Sequence, residues 1–111
     1  MKLASYDIDR FFLVDGEERH KESPENFWIP EKRIRENLEV GMLAKVIFNM
    51  IEESSTKSTC IERMWVEIND IQGEFYIGKL CNEPRSNVSI KYGQDVCFQA
   101  KHVIDADVQN T

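Results

Sequence analysis

Long apolar runs are missing from this chain of 111 residues. Nothing in it approaches the ~20 residues that a membrane-spanning helix needs. Cysteine is scarce: Cys60, Cys81 and Cys97 are odd in number and widely spaced. That pattern argues against a disulfide framework and for a reducing compartment. The close cysteine and histidine pairs of a zinc site are missing too. Cys81 and Cys97 fall in apolar stretches, where cysteine behaves as a small hydrophobe. No metal or other cofactor is expected. Histidine is limited to His20 and His102. There is no Gly-x-Ser-x-Gly and no phosphate-cradling glycine loop, so no reaction is signposted. The opening Met1-Lys2-Leu3-Ala4-Ser5-Tyr6-Asp7 meets an acid at once and does not read as a secretory signal. A cytoplasmic protein is the expectation.

A surplus of base is also lacking. Fourteen Lys and Arg face twenty Asp and Glu, for a net charge of −6. Sequence-independent nucleic-acid binding needs clustered cations to displace counterions, so it is disfavoured, as is docking on an anionic membrane. A basic protein partner is compatible with this charge, which would steer the encounter. The acids from Asp15 to Glu25 alternate with Arg19, His20 and Lys21 and read as a solvated face.

What the chain does have is a patterned set of strands. Residues 1–111 are long enough for one domain with a modest core. Phe11–Val14 reads as a strand ended by the turn Asp15-Gly16. Residues 15–27 read as an exposed connection, and Phe27-Trp28-Ile29-Pro30 as a return to the core. Pro30 is placed to open a short helix. On that helix Ile34 and Leu38 would share a face, with Glu31–Arg35 and Lys32–Glu36 as i,i+4 pairs. Leu43–Met50 reads as a buried strand, Glu52–Thr59 as a mobile loop, and further strands are expected at 61–69, 74–81 and 95–101.

The central hairpin is the most informative stretch. Met64, Val66 and Ile68 alternate with Arg63, Trp65, Glu67 and Asn69, giving one apolar and one mixed face. A two- or four-residue loop before Glu74 would set Val66 against Ile77, Ile68 against Phe75 and Glu67 against Tyr76. Trp65 would then lie across from Gly78 and cover its exposed backbone. On this register Trp65, Glu67 and Tyr76 form a candidate recognition patch, with Asn82 and Glu83 of the following loop beside it. His102 and Asp105 are a separate candidate pair, readable as a base with its orienter or as a structural contact.

These residues also carry a resemblance. The stretches Phe27-Trp28-Ile29-Pro30, Lys45-Val46-Ile47-Phe48, Arg63-Met64-Trp65-Val66, Gly78-Lys79-Leu80, Asn82-Glu83-Pro84 and His102-Val103-Ile104-Asp105 resemble a bacterial domain of unknown function. Some of its members look like immunity proteins of polymorphic toxin systems. The likeness covers about residues 25–105. It departs at Met42 and at Cys81-Asn82-Glu83-Pro84, where the family tends to have an acid and Asp-Asn-Asp-Pro.

The expected fold is α+β: a strongly bent antiparallel sheet or small SH3-like barrel with one short helix. The expected function is that of a non-enzymatic cytosolic binding protein, of the immunity type that the resemblance implies, occluding a basic protein toxin. The alternatives are a small hydrolase-like enzyme using His102 and Asp105, or a nucleic-acid-binding barrel. The binding residues expected are Trp65, Glu67, Tyr76, Asn82, Glu83, His102 and Asp105.

Overall fold

The computed structural model describes residues 2–53 and 58–107. Among these residues six antiparallel strands form one sheet that curls into a half-barrel. They are β1 (Phe11–Leu13), β2 (Leu43–Ile51), β3 (Thr59–Gln72), β4 (Phe75–Leu80), β5 (Asp95–Gln99) and β6 (Asp105–Asp107). Strands β1 to β5 are neighbours in chain order, and β6 pairs with the start of β2 beyond the end of β1. The expected α+β fold with a bent antiparallel sheet is therefore what the chain forms. Residues 54–57, within the loop expected over Glu52–Thr59, lie outside the described residues.

Alternation builds the core. Ala44, Val46, Phe48 and Met50 of β2 face inward with Met64, Val66 and Ile68 of β3 and Val96 and Phe98 of β5. Phe11 and Leu13 of β1, with Leu38, Ile90 and Val103 from the connections, complete the filling. A second, smaller cluster sits on the outer face, where Phe27 and Ile104 cover Ile47.

The helices differ from expectation. Among the described residues three short ones occur: α1 (Tyr6–Asp9), α2 (Gly16–Glu22) and α3 (Lys32–Arg35), with a 3-10 turn over Ala100–His102. Helix α2 replaces part of the expected connection. Asp15 caps it by accepting the Glu18 N–H at 3.0 Å. Glu17 and Glu18 occupy its first turn and Arg19, His20 and Lys21 its last, which suits the helix dipole. Helix α3 starts two residues past Pro30. Its buried residue is Arg35, while Ile34 is 41% exposed. The expected i,i+4 charge pairs give way to Arg33–Glu31 at 2.9 Å and Arg35–Glu17 at 2.6 Å. Arg35 also donates to the Pro30 and Ala100 carbonyls at 2.8 and 3.0 Å, so its charge bolts α2, α3 and the 3-10 turn together.

The hairpin register is the main correction. β3 runs three residues past Asn69 and turns at Gly73, whose φ of +60° suits glycine. Near the turn Ile71 pairs with Tyr76. A β-bulge follows between Ile68 and Asp70, and past it Ile68 pairs with Gly78 and Val66 with Leu80. The bulge inserts one residue, so β4 changes the face it shares with β3. Tyr76, Gly78 and Leu80 are buried beside Val66 and Ile68, while Phe75 and Ile77 are only half-buried. Trp65 is thus not opposite Gly78, and Glu67 faces Lys79 instead of Tyr76. Gly78 is small for a different reason. A Cβ there would overlap the Glu67 carbonyl oxygen and lie 2.8 Å from Val66 Cγ1. The bulged strand presses on it directly.

Candidate functional site

The outer face of β2 and β3 carries the side chains that the core does not take. Lys45 stands opposite Trp65, Ile47 opposite Arg63 and Asn49 opposite Ile61. On the far side of β2, Asp105 of β6 stands opposite Lys45. The Lys45 ammonium lies 5.4 Å from the centre of the half-buried Trp65 ring. Phe27 covers Ile47, and the guanidinium groups of Arg19 and Arg63 lie 5.5 and 5.4 Å from its ring. Such cation–aromatic contacts hold the charges over apolar surface without neutralising them. His20 fixes this segment, with Nδ1 2.7 Å from the Phe27 carbonyl oxygen. The neighbouring Trp28, expected to re-enter the core, is 68% exposed.

The loop after β4 forms the opposite bank. The Cys81 N–H donates to the Trp65 carbonyl at 2.8 Å, and the Trp65 N–H donates to Asn82 Oδ1 at 2.6 Å. Asn82 thereby continues the pairing of β4 for one step, and the chain then leaves at Pro84. Farther on, the Arg85 and Ser86 N–H groups donate to the Glu62 carboxylate at 2.9 and 3.0 Å. Partial burial pushes the Glu62 carboxyl up, but these bonds outweigh it and hold it below the ordinary carboxylate value.

Two hollows result. One, of about 430 Å³, is lined by residues 61–65 of β3, Lys45, Asn82, Glu83 and Arg85, so that the Glu62 and Glu83 carboxylates share its wall with the cations. The other, of about 290 Å³, lies among Phe27, Trp28, Lys45, Arg63, Ile104 and Asp105. They share Lys45 and Arg63 and form one trough across the sheet. Among the described residues neither of these two cations makes an ion pair. In a chain of net charge −6, a pair of cations held over aromatic rings beside two indoles, with Glu62, Glu83 and Asp105 in the same walls but none in an ion pair with them among the described residues, is the feature that marks this surface.

A larger hollow, of about 600 Å³, opens between α3, the β3–β4 turn and the 3-10 turn. Its wall mixes Glu17, Glu36 and Glu74 with Lys32 and Lys101. Of the sequence candidates it takes only Tyr76, and Glu17 is already committed to Arg35. Lys32 and Lys101 also make no ion pair among the described residues, but neither is held over an aromatic ring as Lys45 and Arg63 are.

Trp65, Asn82, Glu83 and Asp105 from the sequence reading therefore border one trough. Glu67 lies on the same face, one outward step from Trp65 and opposite Lys79. Tyr76 does not join them. It is 5% exposed, and its hydroxyl donates to the Arg35 carbonyl at 2.7 Å and accepts from the Leu38 N–H at 3.2 Å. His102 is buried as well. Its Nδ1 accepts the Gln99 N–H at 3.0 Å. Burial, with the nearby Lys101 charge, pulls its pKa down to about 4, so the ring is neutral at pH 7. Asp105 Oδ1 accepts from the Ala106 N–H at 2.9 Å on the trough side. The two are not hydrogen-bonded to each other among the described residues, so the base-and-orienter geometry does not form. The sequence reading missed Lys45, Arg63 and Trp28 as members of the surface. Alternation had put Arg63 on the face of Trp65, but Lys45 lay in a strand read as buried throughout.

Comparison with known proteins adds a family. The model of a family described as an uncharacterized protein conserved in bacteria matches residues 14–110. No curated protein and no solved structure matches the chain. Among the described residues, no helix is long and apolar enough to cross a membrane.

Proposed function

The chain belongs to this bacterial family, DUF2314, and from that premise we propose that it is a non-enzymatic binding protein that docks a protein partner in the trough. The observation that carries the reading is the pair Lys45 and Arg63, held over aromatic rings and in no ion pair among the described residues, between the Trp65 and Trp28 side chains. Aromatic side chains and arginine are the groups that anchor protein interfaces most strongly. The more specific form of the proposal is an immunity-type protein that occludes a toxin and works in the cytoplasm. A net charge of −6 favours encounter with a basic protein at long range, while the trough selects carboxylates at contact. The seclusion of His102 weighs against the hydrolase alternative, because a buried neutral imidazole bonded to the chain's own backbone has no approach to a substrate.

The test is to express the chain together with the products of its flanking genes. A partner whose toxicity it relieves should bind it directly in calorimetry. Trp65→Ala and Arg63→Glu should each weaken that binding by about tenfold or more while leaving the fold intact. A partner bound equally well by both folded variants would remove the trough from the reading. Turnover of a small molecule by the pure protein would overturn the binding function itself.

A further inference from the structure

On its β4 side the pairing of β3 stops at Val66, while on its β2 side it runs back to Thr59. The Lys45 carbonyl accepts from the Ile104 N–H at 2.9 Å and the Ile47 carbonyl from the Val14 N–H at 3.0 Å. At both positions β2 thus directs its backbone polar groups away from β3. Their antiparallel partners Trp65 and Arg63 must then direct theirs away from β2, toward the outer edge of β3. The register is continuous back to Thr59, so the groups of Ile61 point the same way. Trp65 finds Cys81 and Asn82 on that edge. Arg63 and Ile61 find no backbone partner among the described residues. β4 ends at Leu80, opposite Val66, and among the described residues no strand continues it alongside Ile61 and Arg63, with Asn82, Glu83 and Arg85 across the hollow.

A free strand edge is a template for another strand, and folded proteins blunt or cover most of theirs. This one forms the floor of the 430 Å³ hollow and is flanked by an Ile61 side chain that is 57% exposed. We infer that the edge at Ile61–Arg63 takes an extended segment of the protein partner as an added strand, with a carboxylate of that segment set against Lys45 and Arg63. Alternate backbone groups of the segment would pair with Ile61 and Arg63, and the side chains between would lie toward Trp65 or away from it. The matched N–H and C=O pairs favour a peptide over a phosphate chain, which the net charge of −6 also repels. This inference rests on the trough being the docking face and adds how it is used.

The test uses the full isotope-labelled chain and a capped six-residue peptide of alternating valine and glutamate. In the free chain the Ile61 and Arg63 amides should exchange fast, while the Met64 and Val66 amides, directed at β2, are protected. Adding the peptide to about 1 mM should slow exchange at Ile61 and Arg63 by about tenfold or more. The same peptide with its alternate amides methylated should lose this effect, as should a valine–lysine counterpart. Arg63→Glu, which keeps the edge amide, should weaken binding by about tenfold. Protection of these amides in the free chain would overturn the inference, as would a lack of response to the peptide. So would equal binding of the methylated peptide, preferential binding of a single-stranded oligonucleotide, or protection through a concentration-dependent dimer. Peptide-induced shifts confined to the Trp65 and Lys45 side chains would sink strand addition and leave the docking face standing.

Discussion

Replacing Gly78 with alanine is the sharpest probe of how this sheet is built. The added methyl would overlap the Glu67 carbonyl oxygen, a backbone atom with no rotamer to escape into. It would also sit 2.8 Å from Cγ1 of Val66, a fully buried core residue. Relief requires β3 and β4 to separate beside the bulge, at the pairs Ile68–Gly78 and Glu67–Lys79. Overpacking that only displaces side chains costs about 1–3 kcal/mol, so a clash with backbone should cost about 3 kcal/mol or more. For a domain of this size that lowers the melting temperature by roughly 10–20 °C. Urea melts should show a lower midpoint with an unchanged slope. The alternative, in which Trp65 covers an under-filled glycine, predicts the opposite sign, because alanine would fill the gap. A Gly78→Ala change within about 0.5 kcal/mol of zero would therefore refute the close approach. Gly73→Ala is the internal control: its surroundings are open, so only the left-handed backbone, at about 1–2 kcal/mol, should register.

Three further outcomes follow from the same contacts. Tyr76→Phe strands the buried Leu38 N–H and should destabilise by about 1–3 kcal/mol in urea melts, with no cavity to explain the loss. Asp15→Ala removes the cap of α2 and should cost about 1 kcal/mol, with a small loss of helical circular dichroism. His102 is held neutral with its pKa down at about 4, so between that value and 6.5 the unfolded chain binds the extra proton. Stability from this group is whole above pH 6.5 and falls as pH drops through the window, by up to about 3 kcal/mol. Glu62, whose carboxyl is held low, loses its contribution in the same direction at more acid pH. His102→Gln should flatten the upper part of this slope, and a slope unchanged in that variant would assign it elsewhere.

The sequence by itself determined β1 to β5, their alternation and their antiparallel character, while β6, three residues long and without an alternating pattern, was not legible in it. Met64, Val66 and Ile68 had to face a core because no other arrangement removes three apolar side chains in register from water. It also placed Trp65 and Arg63 together on the outer face, and Asn82 and Glu83 in a loop nearby. Helix α2 was legible in principle, through Asp15 with its acidic first turn and basic last turn, but the charges alone read equally well as a solvated loop. Tertiary structure decided the rest. One inserted residue after Ile68 turned Tyr76 from a surface anchor into a buried strut for Arg35 and Leu38, because a strand's faces exchange with every single-residue shift. Arg35 went inside, where a helical pattern would have placed Ile34, because carbonyls and a carboxylate from three separate segments converge on it. The trough exists only once β2, β3, β6 and two distant connections meet, and no local pattern encodes which cations there stay out of ion pairs. That is a property of every neighbour within reach, and only the folded chain chooses its neighbours.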